Sequence, residues 1–410
     1  MSLLEKASLI ITPNGYKAGK LYSVIPNTAL GDMDVVRATT ATRVNSLGLI
    51  ENVGLNVPRL DYTNGICPSI LVEPQRTNLL TYSEDFSNSN WTKNNASITS
   101  NVVTSPNNTL TADKLIPIAT ASVNKYIWQN PTTSNGVNHS LIVFAKLAEY
   151  DILRIEQGNN SEGAWFNLSN GTIGSISSGA TAEINNMGNG WYRCSVNTVS
   201  IATNVFFLIG GSNTENVQVG DGTSGIYIWG AQLEQGAYPT SYIPTVASTV
   251  TRNYDVISKT NSFIANKTVA CLFIDLNRYY YASDYVGILG YRNGTTCDLY
   301  MLQYQNSDVT EFRAKSANGV QNSINLNVSL GHSKIAMYRE NDKLSIFING
   351  IKIIEQTSVS PMNEFLNSPQ PLRINTDPFF GSYDAQLFIN SAQIYTTILT
   401  DQECINLTTL

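Results

Sequence analysis

Residues 226–245, IYIWGAQLEQGAYPTSYIPT, constrain the fold of this chain more than any other stretch. Its first half alternates apolar and polar residues as a half-buried strand does, and Pro239 and Pro244 stiffen its second half. Strand-rich sequence lies on both sides of it. We therefore expect residues 226–234 to form a buried strand that closes one β-sandwich, and residues 235–245 to form a stiff connector to the next.

Short strands separated by turn residues continue along most of the chain. In residues 78–245, Asn-Gly steps at Asn135, Asn170 and Asn189 supply the positive φ angles of tight turns. The run NVFFLIGG within this block is apolar throughout, which is typical of a central strand buried on both faces. In residues 246–410, Asn349-Gly350 between IFI and IKII predicts a hairpin. The sequence thus predicts an all-β protein.

Three segments follow from this pattern. Residues 1–77 contain short extended runs but lack the apolar density for a core of their own, so their strands need a partner surface. Residues 78–245 predict a jelly-roll sandwich and residues 246–410 a second sandwich. Near the C-terminus, Thr400 followed three residues later by Glu403 predicts a capping box that starts a short helix.

Composition excludes several classes of function. Charged residues are 14% of the chain, against about 25% in typical soluble domains, and the net charge is −6 with no basic stripe, which argues against nucleic-acid binding. No apolar run reaches the ~18 residues of a membrane span. Two isolated His residues and the absence of a nucleotide-binding or nucleophile motif predict no catalytic site and no metal site. The five scattered Cys residues are expected to be buried free thiols.

The N-terminal segment carries a family resemblance. The strings RATTATRVNSLGLIENVGLNVPRLDY and CPSILVEPQRTNLLTYSEDFSNSNWTK match a pattern in residues 37–42, 48–50, 58–62 and 71–80. In these residues the chain resembles bacteriophage virion proteins of the fibre and appendage type. The resemblance implies a location on the surface of a phage particle, attachment to other virion proteins through residues 1–77, and a homotrimer.

Two further resemblances concern the sandwiches. With GWYRCSV and IWGAQLEQGAYPTSYIPT, residues 78–245 resemble the carbohydrate-binding-module-like jelly rolls of phage fibres. With KLSIFINGIKI and GSYDAQLFINSAQIYTTILTDQECINL, residues 246–410 resemble concanavalin-A-like and laminin-G-like sandwiches. The first resemblance implies binding of glycans, here the glycans of a host surface.

All five Trp residues fall in the first sandwich, where aromatic rings could stack on sugars. Trp191 and Trp229 occupy family-typical strand motifs, for which we expect core packing, and Trp91, in the opening loop, is also expected to be structural. The candidate glycan-binding residues are therefore Tyr126, Trp128 and Trp165. No cofactor is predicted, although the resemblance allows a structural Ca²⁺ near Glu84, Asp85 and residues 232–234.

The role of one cluster of tyrosines stays open. The tyrosines at 279–281, 285 and 291 form either an exposed contact surface or ordinary edge packing.

The function expected is that of a non-enzymatic virion fibre or decoration protein that contacts host glycans. The alternatives are a polysaccharide-degrading depolymerase, for which no carboxylate pair is evident, and a purely architectural virion protein.

Overall fold

The computed structural model of the chain describes residues 1–119, 125–158, 162–200, 204–211, 220–260, 263–264, 267–280, 286–292, 298–304, 306–315, 321–357, 371–375 and 385–410. The chain divides into two compact units. Unit 1 comprises Met1–Arg43, Val53–Gln75 and Asn253–Leu410, and unit 2 comprises Val44–Asn52 and Arg76–Arg252. Strands dominate both, so the protein is all-β.

The elements run as follows in chain order. The N-terminal part contains α1 (Leu3–Lys6), β1 (Ala7–Lys17), β2 (Lys20–Ile25), β3 (Met33–Val36), β4 (Ala41–Val44), β5 (Ile50–Val53), β6 (Arg59–Asp61) and β7 (Ser69–Val72). The middle part contains β8 (Arg76–Asn78), β9 (Thr92–Asn94), β10 (Ala96–Val103), β11 (Ala112–Pro117), β12 (Tyr126–Gln129), β13 (Val137–Leu147), β14 (Ile152–Gln157), β15 (Glu162–Asn167), β16 (Thr172–Ile176), β17 (Thr181–Asn186), β18 (Trp191–Ser200), β19 (Val205–Ile209), β20 (Ile226–Gln235) and β21 (Val250–Arg252). The C-terminal part contains β22 (Val256–Lys259), β23 (Val269–Arg278), β24 (Val286–Arg292), β25 (Asp298–Gln303), β26 (Val309–Lys315), β27 (Gln321–Asn327), β28 (Gly331–Glu340), β29 (Lys343–Ile348), β30 (Ile351–Gln356), β31 (Leu372–Ile374), β32 (Leu387–Tyr395) and α2 (Asp401–Thr408).

Unit 1 is built on one long antiparallel sheet. Its described strands follow the order β27-β26-β25-β24-β31-β22-β3-β2-β1-β32-β23-β28-β29-β30, and β7 adds to β32 and β6 to β7. The two ends of this order share one core, in which Phe312 of β26 and Ile346 of β29 are both fully buried. The sheet therefore folds over on itself and forms a sandwich. A second apolar cluster on its outer side includes Phe273, Tyr338 and Cys404 of α2.

Unit 2 is a two-sheet sandwich. The first sheet has the order β10-β11-β20-β13-β18-β17 and the second the order β16-β15-β14-β19-β12-β9. Alternate residues of both sheets meet in one core, among them Leu141, Ile155, Phe207 and Ile228, all fully buried. A short pair, β8 with β21, lies where the chain enters and leaves the unit. This is the jelly-roll-type sandwich expected for the middle of the chain.

The division of the chain differs from boundaries at residues 77 and 245. Strand β1 pairs with β32, so that Leu9 lies opposite Ile394, and β3 pairs with β22. Most of residues 1–77 thus find the partner surface that they need in the C-terminal part of the same chain. The residues of unit 2 from 76 to 252 are inserted in the sequence of unit 1.

The stretch 226–245 divides into a strand and a bound loop. Strand β20 is buried along nearly its whole length, as expected, and it is a central strand between β11 and β13. The loop after it is tied to unit 2 by side chains of β20. Glu234 accepts hydrogen bonds from the backbone N–H and the hydroxyl of Thr240, at 2.5 and 2.7 Å, and Gln232 accepts one from the Ile243 N–H at 2.6 Å. Hydrogen bonding thus holds the loop, in addition to its prolines.

Local signals in the sequence correspond closely to local structure. Thr400 caps α2 and forms a capping box with Glu403. Asn349 and Gly350 have φ angles of 49° and 80°, and the turn they form joins β29 to β30 as a hairpin. Among the described cysteines, Cys194, Cys271 and Cys404 are buried and Cys67 is exposed, while Cys297 lies outside the described residues. No helix in the described part of the chain is long and apolar enough to cross a membrane.

A buried cluster of charges lies inside unit 1. The guanidinium of Arg59 pairs with Glu73 at 2.5 Å and also with Asp255, which in turn pairs with Arg37 at 2.8 Å. All four side chains are at least 97% buried. The amide of Gln386 donates to the other oxygen of Glu73 at 2.6 Å, so the second carboxylate oxygen is also satisfied. Each charge is therefore balanced, and removal of one member would leave another uncompensated.

We predict that Arg59→Met lowers the free energy of unfolding of unit 1 by roughly 3–5 kcal/mol, because Glu73 and Asp255 lose a buried partner. The matched control is Lys20→Met, which breaks the more exposed Lys20–Asp34 pair and should cost less than about 1 kcal/mol. Urea unfolding followed by far-UV circular dichroism measures both. Since all five Trp residues belong to unit 2, Trp fluorescence should shift less than circular dichroism. Equal shifts for the two variants would contradict this account of the charge cluster.

Candidate functional site

The second sheet of unit 2 has one face in the core and one face outside it. Phe207 of β19, Ile155 of β14 and Phe166 of β15 belong to the core cluster. Because successive side chains of a strand point to opposite faces, the residues between them lie on the outer face. This outer face is the candidate site.

Cross-strand pairing arranges the outer face in two rows. Directly opposed residues of an antiparallel sheet share a face, so each row can be read from the register. The first row consists of Thr92, Trp128, Phe206, Glu156 and Gly163. The second row lies two residues away along each strand and consists of Asn94, Tyr126, Leu208, Arg154 and Trp165. All three aromatic residues predicted from the sequence therefore lie on the same sheet face.

Three partly exposed rings form a connected group at one side of this face. The ring of Phe206 stacks against Trp128, with centroids 6.0 Å apart and planes at 26°, and meets Tyr126 edge-on at 5.4 Å. Each of the three is intermediate in exposure, so part of each ring is open to solvent. We call Tyr126, Trp128 and Phe206 the ring group.

An ion pair lies beside the ring group on the same face. Arg154 pairs through its Nε with Glu156, and its guanidinium carbon lies 5.0 Å from the centroid of the Trp165 ring. The two charged side chains are 14% and 8% exposed. A cation over an indole face is attracted by the ring quadrupole, so Trp165 helps to fix the position of Arg154.

Trp165 itself is only 2% exposed, which separates it from the other two predicted residues. Its ring is covered by Arg154 on one side and approaches Gly210 so closely that a Cβ at that position would lie 2.2 Å from its Cζ3. The Trp165 ring is thus covered and offers no open surface for stacking on a sugar. Tyr126 and Trp128 keep the exposure that stacking on a sugar requires.

Sequence reasoning missed three residues of the face. Phe206 lies in the run NVFFLIGG, for which burial on both faces was expected, whereas its side chain is partly exposed. Arg154 and Glu156 alternate along β14 in DILRIEQG, and that alternation is the signal that could have indicated them. The register of β14 against β19 then brings Glu156 opposite Phe206.

The other tryptophans pack in the core, as expected. Trp91, Trp191 and Trp229 are 0–2% exposed, and each indole N–H donates a hydrogen bond within unit 2. Trp229 lies in an aromatic cluster with Phe144 and Tyr242, at centroid distances of 5.4 and 4.8 Å.

The residues considered for Ca²⁺ are engaged in other contacts. Glu84 accepts a hydrogen bond from the Tyr242 hydroxyl at 3.2 Å, and Asp85 accepts from the backbone and hydroxyl of Ser87. The side chains of Gln232 and Glu234 hold the loop after β20. Among the described residues, no group of three or more His, Cys, Asp or Glu side chains could hold a metal ion.

The described tyrosines of this cluster in the C-terminal sandwich differ in their exposure to solvent. Tyr279 is 43% exposed, packs edge-on against Phe388 at 5.7 Å and donates a hydrogen bond to Asn64 at 2.9 Å. Tyr291 is buried in the core of unit 1. Tyr281 and Tyr285 lie outside the described residues. The described members therefore include both an exposed ring and a packed one.

Comparison with known proteins adds only distant likenesses. No protein-family model and no curated protein matches the chain. Among solved structures, it is similar to the CBM40 domain of the Ruminococcus gnavus IT-sialidase, at 15% identity, over 35% of this chain and 84% of that chain, with a TM-score of 0.31. It is also similar to domain 4 of the GH43 extracellular arabinanase AbnA from Geobacillus stearothermophilus, at 10% identity, over 43% and 84% of the two chains, with a TM-score of 0.32. A third likeness, to the binding domain of Paraclostridial Mosquitocidal Protein 1, has 11% identity, covers 39% and 43%, and has a TM-score of 0.30. At these scores none of them decides the ligand of this chain.

Several buried carboxyl groups of unit 2 have raised pKa values. Burial raises the pKa of Asp113 to about 6, although its carboxylate accepts hydrogen bonds from the backbone N–H groups of Phe86 and Asn101. Burial also raises the pKa values of Glu84 and Glu234. These groups bind protons more tightly in the folded unit than in the unfolded chain, so folding is favoured at lower pH.

We predict that Asp113 lowers the stability of unit 2 by on the order of 1 kcal/mol as the pH rises from about 5 to about 7, whereas His139, whose pKa is lowered by burial, acts in the opposite direction. The stabilisation is complete below the unfolded pKa near 4 and is lost as the pH passes the folded value of about 6. Urea unfolding followed by Trp fluorescence at the two pH values measures the change, and Asp113→Asn should reduce it. If Asp113→Asn left the difference in stability between the two pH values unchanged, the prediction would be wrong.

Proposed function

We propose that the protein is a non-enzymatic saccharide-binding protein and that unit 2 binds oligosaccharides on its outer face. The observation that carries the proposal is the ring group, three partly exposed aromatic side chains in mutual contact on one sheet face. An aromatic ring such as that of Trp128 offers the C–H faces of a pyranose a stacking partner at little cost in side-chain entropy. Polar residues that could meet hydroxyl groups, Thr92 and Asn94, belong to the same rows.

The dimensions of the face suit a short oligosaccharide. Trp128 and Glu156 lie two strands apart in one row, which corresponds to about 10 Å at the usual strand spacing. A sugar stacked on Trp128 would therefore place its neighbour near Glu156 and Arg154. The ring group would supply most of the affinity, and the ion pair would supply polar contacts of fixed geometry.

Binding without hydrolysis fits the charges of this face. Glycoside hydrolysis generally needs two carboxyl groups on either side of the scissile bond, about 5–10 Å apart. Among the described residues of the two rows, Glu156 is the one carboxylate, and Arg154 is paired with it. A depolymerase remains the alternative that the assay below also tests.

The wider proposal places the protein on the surface of a bacteriophage particle as a fibre or decoration protein. Its support is the resemblance of residues 37–42, 48–50, 58–62 and 71–80 to phage appendage proteins. Attachment to other virion proteins would use exposed apolar side chains of the N-terminal segment, such as Leu30, Leu55 and Ile66, at 66%, 55% and 96% exposure. Host surface glycans would then be the ligands of unit 2.

We predict that Trp128→Ala weakens glycan binding by at least about tenfold, since loss of one stacking platform costs roughly 1–3 kcal/mol. The melting temperature should change little, because the ring is partly exposed. A glycan array identifies the ligand, and titration calorimetry compares the variants. Tyr192→Ala is the matched control, since Tyr192 is also partly exposed but lies on β18 of the first sheet.

Each other outcome of this experiment has a definite meaning. Full binding by Trp128→Ala, or loss of binding by Tyr192→Ala alone, would overturn the assignment of the outer face. Blank arrays with the unaltered protein would favour the purely architectural role. Release of reducing ends from a bound polysaccharide would contradict the non-enzymatic proposal.

We predict a homotrimer for the full chain, on the resemblance to phage fibres alone. Size-exclusion chromatography with light scattering should give three times the chain mass of 44.9 kDa. A stable monomer across a range of concentrations would contradict this prediction and would leave saccharide binding by a single chain unaffected.

A further inference from the structure

The charges on the described part of the outer face of unit 2 add up to zero. In the two rows read from the register, the charged side chains among the described residues are Arg154 and Glu156. The remaining members are aromatic, aliphatic, small or neutral polar. The two opposite charges are paired with each other.

The ion pair lies among other residues of the outer face. Trp165 lies under the guanidinium of Arg154, and Glu156 lies between Phe206 and Gly163 in its row. The pair is mostly buried, with the two side chains 14% and 8% exposed. Solvent screens such a pair less than it screens a surface pair, so separation of the two charges would be costly.

We propose that the outer face of unit 2 selects uncharged oligosaccharides over carboxylated or sulfated ones. This inference rests on the proposed function and adds the class of ligand. Recognition of an acidic sugar requires a cation that is free to pair with it, and here Glu156 already neutralises Arg154. A carboxylate brought to the face would also meet the like charge of Glu156 in a partly desolvated setting, which costs affinity. A neutral sugar meets aromatic rings and an ion pair whose outer atoms can accept or donate hydrogen bonds to hydroxyl groups.

Two measurements test the inference on the full chain. The first is a glycan array that contains matched neutral, carboxylated and sulfated oligosaccharides, read with the unaltered protein and with Trp128→Ala. Among the signals that Trp128→Ala abolishes, neutral members should bind at least about tenfold more tightly than their acidic counterparts. The second is the salt dependence of the dissociation constant, which should vary less than about twofold between ~50 and ~500 mM NaCl, because no net charge is brought together.

The variant Glu156→Gln gives the sharpest test. It keeps the size of the side chain and removes the charge that neutralises Arg154. The ratio of acidic to neutral binding should then rise by about tenfold or more, and binding of acidic sugars should become weaker as salt is added. Glu183→Gln, on β17 of the first sheet, is the matched control and should leave the ratio unchanged. Circular dichroism and Trp fluorescence confirm that both variants are folded.

The outcomes separate this inference from the proposal it rests on. If acidic glycans dominate the signals that depend on Trp128, the preference for uncharged sugars is overturned, while saccharide binding by this face stands. If Glu156→Gln leaves the ratio unchanged, the ion pair does not set the specificity and the inference also fails. If no signal depends on Trp128, the proposed function fails, and the inference with it.

Discussion

The ion cluster around Arg59 is the interaction on which the arrangement of the chain depends. It joins Arg59 of β6 and Glu73, both in the N-terminal part, to Asp255, which lies 196 residues after Arg59 where the chain returns from unit 2. The N–H of Glu73 donates to the Asp255 carboxylate, and the N–H of Asp255 donates to the carbonyl of Glu73. The two carboxylates raise the pKa of Arg59 further above its ordinary value, against the opposing effect of burial. The chain therefore leaves unit 1 and returns to it at one fixed point.

The long insertion that forms unit 2 also has its two ends held together. Strand β8 begins the inserted part of unit 2 and pairs with its last strand, β21, with Asn78 opposite Val250 and Arg76 opposite Arg252. Holding the ends of an inserted segment together removes most of the loop-closure entropy that its length would otherwise cost in folding. Within unit 2, the Asn78 side chain then donates to the carbonyls of Ala231 and Ile243, so the entry strand, β20 and the bound loop share one set of hydrogen bonds.

Local structure could be predicted from the sequence, whereas long-range pairing could not. Strand periods, the turn at Asn349 and the cap at Thr400 depend on neighbouring residues only, and the structure contains each of them. The pairing of β1 with β32 joins residues from opposite ends of the sequence, and neither strand has a sequence feature that identifies the other as its partner. For the site, Tyr126 and Trp128 could be found by residue type and alternation. Phe206 could not, because a continuous apolar run does not reveal which of its faces is covered.

The exposure of the ring group is itself evidence for a ligand. Partly exposed aromatic rings forgo part of the stabilisation that burial of apolar area provides, about 25 cal/mol per Å². Beside the rings, the described face carries the Arg154–Glu156 pair, and the guanidinium of Arg154 lies over the Trp165 ring. A rigid, uncharged aromatic platform of this kind is suited to a ligand with C–H faces and hydroxyl groups, and poorly suited to a charged one.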